Sequence, residues 1–150
     1  MLRVSKLTDY AVVVLVRLSA EPACEASIQT SPSIAAATCV PEPTVAKVLK
    51  ALSAAGLVLS QRGARGGYRL IRPLETISVA DVIAAIDGPI ALTACVDGAL
   101  GGCEVRDVCA VNGRWDLVND AIRQSLMSIT LADMRNAALP VAASALTPAE

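Results

Sequence analysis

The chain has 150 residues, enough for one domain with a substantial core, and 54% of them are apolar although Phe is absent altogether. It holds five cysteines and no histidine. The missing histidine removes the usual general base of Ser and Cys hydrolases and the commonest zinc ligand, and an odd cysteine count argues against a disulfide scaffold. The net charge of −1 hides an asymmetry: Pro43–Leu74 carries six basic residues and no acid, whereas Glu75–Asp120 carries eight acids and two bases. A basic lobe on a near-neutral chain points to a polyanionic partner.

The first apolar run, Ala11–Val16, ends at Arg17 and is edged by Asp9. It is far short of the roughly 20 residues that span a bilayer and fits a signal peptide poorly, so a cytosolic chain without a membrane segment is expected. Thr8 is placed to cap a helix over 9–19, with Ala11, Val14, Leu15 and Leu18 on its buried face. Residues 21–32 read as a loop with a short strand near Ile28, and 33–38 as a second, short helix.

After the turn Val40-Pro41-Glu42-Pro43, with Pro43 suited to a first helical position, comes the clearest helix of the chain. Val45, Val48, Leu49 and Leu52 form its buried stripe, Lys47 and Lys50 lie opposite, and Gly56 stops it. Strands over 57–60 and 68–71 flank Gln61-Arg62-Gly63-Ala64-Arg65-Gly66-Gly67, a basic hairpin tip.

Ser78–Asp81 has the form of a capping box for a helix ending at Gly88-Pro89, and 90–111 reads as an irregular loop. A long helix follows from about Asn112, with Trp115, Val118, Ile122, Ser125 and Ile129 spaced as a helix–helix seam. Thr130–Asp133 is placed to cap one last turn, and the Ala- and Pro-rich end from Leu139 is expected to be disordered. The fold class is therefore mostly α with a small two-stranded wing. A winged helix-turn-helix over 1–75 precedes a cysteine loop and long C-terminal helix over 76–135, with 136–150 as a tail.

A helix that buries one face and offers Thr44, Lys47 and Lys50 on the other can lie in a major groove. Arg62 and Arg65 of the wing would meet phosphates or a narrow minor groove in double-stranded DNA. Solvated lysines are the plain alternative, but helix, turn, helix and basic hairpin come in the order this role requires.

Cys95, Cys103 and Cys109 are separated by seven and five residues on a loop that also holds Gly98, Gly101 and Gly102. Three thiolates suit an iron–sulfur cluster with one iron position filled otherwise, or zinc with a fourth ligand added. Ordinary small residues are the plain reading. Cys24 and Cys39 lie elsewhere and read as structural. No C-x-x-C pair exists and no His stands ready to activate a thiol, so an enzyme is not expected.

The stretches Val40–Lys50 and Arg62–Tyr68 resemble iron–sulfur-sensing regulators of the IscR/NsrR type. Ile77–Ile83 and Gly88–Thr93 most resemble the branch that regulates SUF cluster assembly. The resemblance, which covers about 2–134, implies a homodimer with the C-terminal helix crossing to its partner, and a minor-groove role for Arg62. It also implies a [2Fe–2S] or [4Fe–4S] cluster on Cys95, Cys103 and Cys109, although the first cysteine spacing here is two residues wider than in the family. Thr8-Asp9 matches the segment that supplies an aspartate ligand across the dimer in NsrR-like members, which would make Asp9 the fourth ligand; simple helix N-terminal charge is the other reading of Asp9. A nitric-oxide-sensing repressor with a labile cluster, and a zinc or redox-thiol DNA-binding regulator, are the nearest alternative functions.

Overall fold

The computed structural model describes residues 3–20, 28–96 and 102–136. Cys24, Gly98, Gly101 and the expected tail from Leu139 lie outside the described residues. The elements, in order, are α1 (Lys6–Leu18), α2 (Ser31–Thr38), α3 (Glu42–Ala54), β1 (Val58–Gln61), β2 (Gly67–Leu70), α4 (Val79–Asp87), α5 (Trp115–Met127) and α6 (Leu131–Asn136). Single 3-10 turns occur at Leu74–Thr76 and Arg106–Val108. The architecture is mostly helical with one two-stranded antiparallel sheet, as expected.

Helix α1 buries Ala11, Val14, Leu15 and Leu18, as their spacing predicts. It begins three residues earlier than expected, and the cap is Ser5 rather than Thr8: the Ser5 hydroxyl accepts from Thr8 N–H at 3.1 Å. Thr8 is otherwise engaged. Its buried hydroxyl donates to Asp87 Oδ2 at 2.8 Å, tying the first turn of α1 to the end of α4.

Helix α2 starts at Ser31, two residues before its expected start, because Thr30 supplies the cap by accepting from Ser33 N–H and Pro32 is tolerated in the first turn. It ends at Cys39, which adopts φ 58° and turns the chain toward α3. Helix α3 starts at Glu42, one residue early, which puts Pro43 at the second helical position. Its buried stripe is Val45, Val48, Leu49 and Leu52, as read from sequence.

The core joins α1, α2 and α3 through Leu15, Ile34, Leu49 and Leu52. Burying one such aliphatic side chain is worth about 1.5–3 kcal/mol, so this helix-turn-helix is held chiefly by shape and apolar area. Leu74 and Ile77 extend the same core, and so do Leu131 and Ala132 of the C-terminal segment. Two backbone bonds bring that segment back: Val79 N–H donates to Ile129 O at 2.9 Å and Leu131 N–H to Ile77 O at 2.8 Å.

The capping box of α4 is present, with the Ser78 hydroxyl and Asp81 carboxylate each accepting from the other's backbone N–H. Helix α5 stops at Met127, so the expected seam through Ile129 is cut short. Ile129 instead gives its carbonyl to Val79, and Thr130 opens α6 in a reciprocal cap with Asp133. Around α5 the apolar residues split into two faces. Ile122 and Leu126 are half-buried on the side that packs on α4, whereas Leu117, Val118 and Ala121 are exposed along a second side. Among the described residues no helix is long and apolar enough to cross a membrane.

Candidate DNA interface and cysteine site

The α2–turn–α3 unit positions the first candidate surface. Lys47 and Lys50 are exposed on the side of α3 opposite its core stripe, and Thr44 is half-buried near the helix start, its N–H donating to Pro41 O at 2.9 Å. With Thr44 on the first turn, the chain offers a hydroxyl and two ammonium groups along one helix face.

The wing adds the second part. Strands β1 and β2 pair with Val58 opposite Leu70 and Gln61 opposite Gly67, one residue displaced from the spans expected for each strand. Tyr68 also has a third partner: Gln29 bridges it with N–H···O distances of 3.0 and 2.8 Å. Where a short strand was expected near Ile28 there is only this single bridge, and it holds the start of β2. Gly67 is required there, since a Cβ would stand 2.6 Å from Gln29 O. At the tip, Gly66 N–H donates to Gly63 O at 2.9 Å, and Arg62, Gly63, Ala64 and Arg65 are all exposed. Among the described residues neither wing arginine makes an ion pair, which leaves both guanidinium groups available to a polyanion.

The cysteine segment runs from Gly88 to the start of α5. Cys95, Cys103 and Cys109 are all half-buried free thiols, and the Thr93 hydroxyl lies 3.1 Å from Cys95 Sγ. Cys39 is exposed in the helix-turn-helix turn, away from this segment in sequence. As a donor set, three thiols on one irregular segment fit an iron–sulfur cluster. Among the described residues, however, no three Cys, Asp or Glu side chains are gathered closely enough to hold a metal ion. Closure of the segment around a ligand is therefore an added requirement.

Asp9 is exposed in the first turn of α1 and lines an open cleft of about 450 Å³. The cleft is walled by Val12, Val79 and Met134, with Arg3 and Lys6 beside it, and its lining includes none of the three cysteines. Ser5 takes the hydrogen-bonding cap, whereas Asp9 supplies acidic charge to the first turn, as its plain reading expects, and its carboxylate has no hydrogen bond or ion pair among the described residues.

One site residue escaped the sequence reading. Asn119 of α5 is 3% exposed and binds the backbone of Ile90 and Leu92 at 3.0 Å each. A polar residue at a helical position that otherwise faces the core was its only signal.

Residues 4–137 match the Rrf2 family, described as an iron-dependent transcriptional regulator. An HTH-type transcriptional regulator of Mycobacterium tuberculosis is 35% identical over 140 residues, covering 93% of this chain and 84% of that one. The structure of CymR, the global cysteine regulator of B. subtilis, superposes with a TM-score of 0.66 at 28% identity, over 93% of this chain and all of that one. IscR of T. potens superposes with a TM-score of 0.60 at 31% identity, over 92% and 89% of the two chains. These relatives are named as regulators, in keeping with the expectation that the chain is not an enzyme. The winged helix-turn-helix with its basic face, and this extent of likeness, place the chain in the Rrf2 family of DNA-binding transcription regulators.

Proposed function

We propose that the chain is a cytosolic, homodimeric regulator that senses an iron–sulfur cluster and controls cluster-assembly genes of the SUF type. The observation that carries this reading is the placement of Cys95, Cys103 and Cys109 as half-buried free thiols on a single segment leading into α5. In it, residues 1–75 bind the operator and 76–135 sense and dimerise. Thr44, Lys47 and Lys50 meet the major groove, and Arg62 and Arg65 meet phosphates or the minor groove. The exposed stripe of Leu117, Val118 and Ala121 receives the second copy.

Cys95, Cys103 and Cys109 would hold the cluster, and Asp9 of the partner subunit would complete its ligands. Asp9 suits this role because its carboxylate is exposed and uncommitted beside an open cleft. Such a group would supply a reactive, labile centre sensitive to oxidants, iron supply or nitric oxide. The protein's part is to close the thiols on it and to pass that closure to the DNA-binding face.

The test is an ultraviolet–visible spectrum with iron and acid-labile sulfide assays on protein purified without oxygen. Broad visible absorbance, with iron and sulfide that disappear in Cys103→Ser, is the expected result. Colourless protein that cannot be reconstituted would leave the DNA-binding module and remove the cluster.

A second reading, a thiol-redox regulator, is favoured by the likeness to CymR. It predicts operator affinity that responds to a disulfide-forming oxidant in iron-free protein. The cluster reading predicts no response under those conditions.

A further inference from the structure

Asn119 is almost fully buried on a helix whose other polar residues face outward or lie half-buried. Its Oδ1 accepts from Leu92 N–H at 3.0 Å, and its Nδ2 donates to Ile90 O at 3.0 Å. One amide thus meets a carbonyl and an N–H two residues apart, as a neighbouring β-strand would. The stretch it holds lies between the end of α4 and Cys95, whereas Asn119 itself follows Cys109 by ten residues. The segment with all three candidate ligands therefore leaves and returns through this pair of bonds.

We propose that Asn119 is the positioning residue of the cysteine segment: its amide closes the neck, so that the ligand state of the thiols is passed into α5. This rests on the sensing role proposed for Cys95, Cys103 and Cys109. The onward connection is covalent and hydrogen-bonded. The chain just beyond α5 is stitched to residues 77–79 by the Val79–Ile129 and Leu131–Ile77 backbone bonds, only a few residues after the wing. Without the Asn119 bonds, movement of the Cys95 arm would stay in the arm. With them it shifts α5, which carries the exposed apolar stripe, and the segment that follows β2.

The experiment compares full-length wild type, Asn119→Leu and Asn119→Asp. Leucine removes both bonds, and aspartate keeps the acceptor for Leu92 but loses the donor to Ile90. Three quantities are read: hydrogen exchange of the Leu92 amide in iron-free protein, thermal melting, and the ratio of operator Kd between iron-free protein and protein reconstituted with ferrous iron and sulfide. Asn119→Leu is expected to raise Leu92 exchange by about tenfold and to bring the Kd ratio toward one, with Asn119→Asp between it and wild type. A merely structural Asn would lower the melting point and weaken both forms alike, leaving the ratio unchanged; that result, or unchanged Leu92 exchange, overturns the proposal. If Asn119→Leu does not fold, the ratio in Asn119→Asp decides. A wild-type ratio of one would instead remove the sensing role itself, and the coupling with it. A wild-type ratio that survives both substitutions removes only the role of Asn119.

Discussion

Gly66→Ala tests whether the shape of the wing, and not only its charge, matters for operator binding. A Cβ at this position would stand 2.5 Å from Gln61 O and 2.9 Å from Gly63 O, where ordinary separations are 3.4–4 Å. Both obstacles are backbone, so no side chain can swing away and the turn itself must open. Opening breaks the Gly66–Gly63 hydrogen bond, worth about 1 kcal/mol net. Overpacking strain adds about 1–3 kcal/mol. Because residues 62–65 are exposed, the tip can relieve this strain by rearranging without dismantling the core. Global stability should therefore fall by less than this sum, while Arg62 and Arg65 leave their places. Operator binding followed by fluorescence anisotropy at several salt concentrations is expected to weaken by about 10- to 100-fold. The slope of log K against log salt should lessen by about 0.9 for each phosphate that the wing no longer neutralises. Gly102→Ala is the control for melting only, since a Cβ there meets nothing within 4 Å. A Gly66→Ala protein that melts normally and binds with unchanged affinity and slope would refute the proposed contribution of the wing.

Leu49→Ala, at a fully buried site, should cost about 2–5 kcal/mol in urea unfolding, while the exposed Ala46→Ser should change stability by less than about 0.5 kcal/mol. Lys50→Ala should leave urea unfolding unaltered but reduce the salt slope of DNA binding by about 1, read by the same anisotropy titration. The Asp133 carboxyl is held below its ordinary value of 3.8 by the Thr130 backbone N–H and then the Thr130 hydroxyl, against a small opposing effect of burial. Because the folded value is depressed, the contribution of this cap is complete above the unfolded value and is lost as pH falls through the lower folded one. Fraying of α6 in acid, followed by amide chemical shifts, should depend on this window in wild type and lose it in Asp133→Asn.

The helix-turn-helix was legible because its signals are local and agree with one another. Val45, Val48, Leu49 and Leu52 repeat with the helical period, and the glycines of the wing stand where a tight turn needs them. Errors arose where a residue had two uses. Ser5 and Thr8 can both cap a helix, and only the packing of α4 decides between them, by engaging the Thr8 hydroxyl with Asp87. The apolar spacing through Ile129 continued past the real end of α5 because periodicity does not register a carbonyl taken by Val79. The cysteine spacing gave ligand types but not their arrangement, and the Asn119 bonds were invisible because their partners lie 27 and 29 residues away.

The place of Leu131 and Ala132 in the core has a consequence for the order in which this protein comes into being. These two residues are buried with Leu74 and Ile77, and Leu131 N–H is bonded to Ile77 O. As the chain emerges during synthesis, the reading head is made first, yet one wall of its core is supplied by residues made more than fifty positions later. Until that wall arrives, Leu74 and Ile77 lack part of their cover. The region that grips DNA thus reaches its finished packing only after the cysteine segment has also been made, so a fully packed reader always has that segment attached to it.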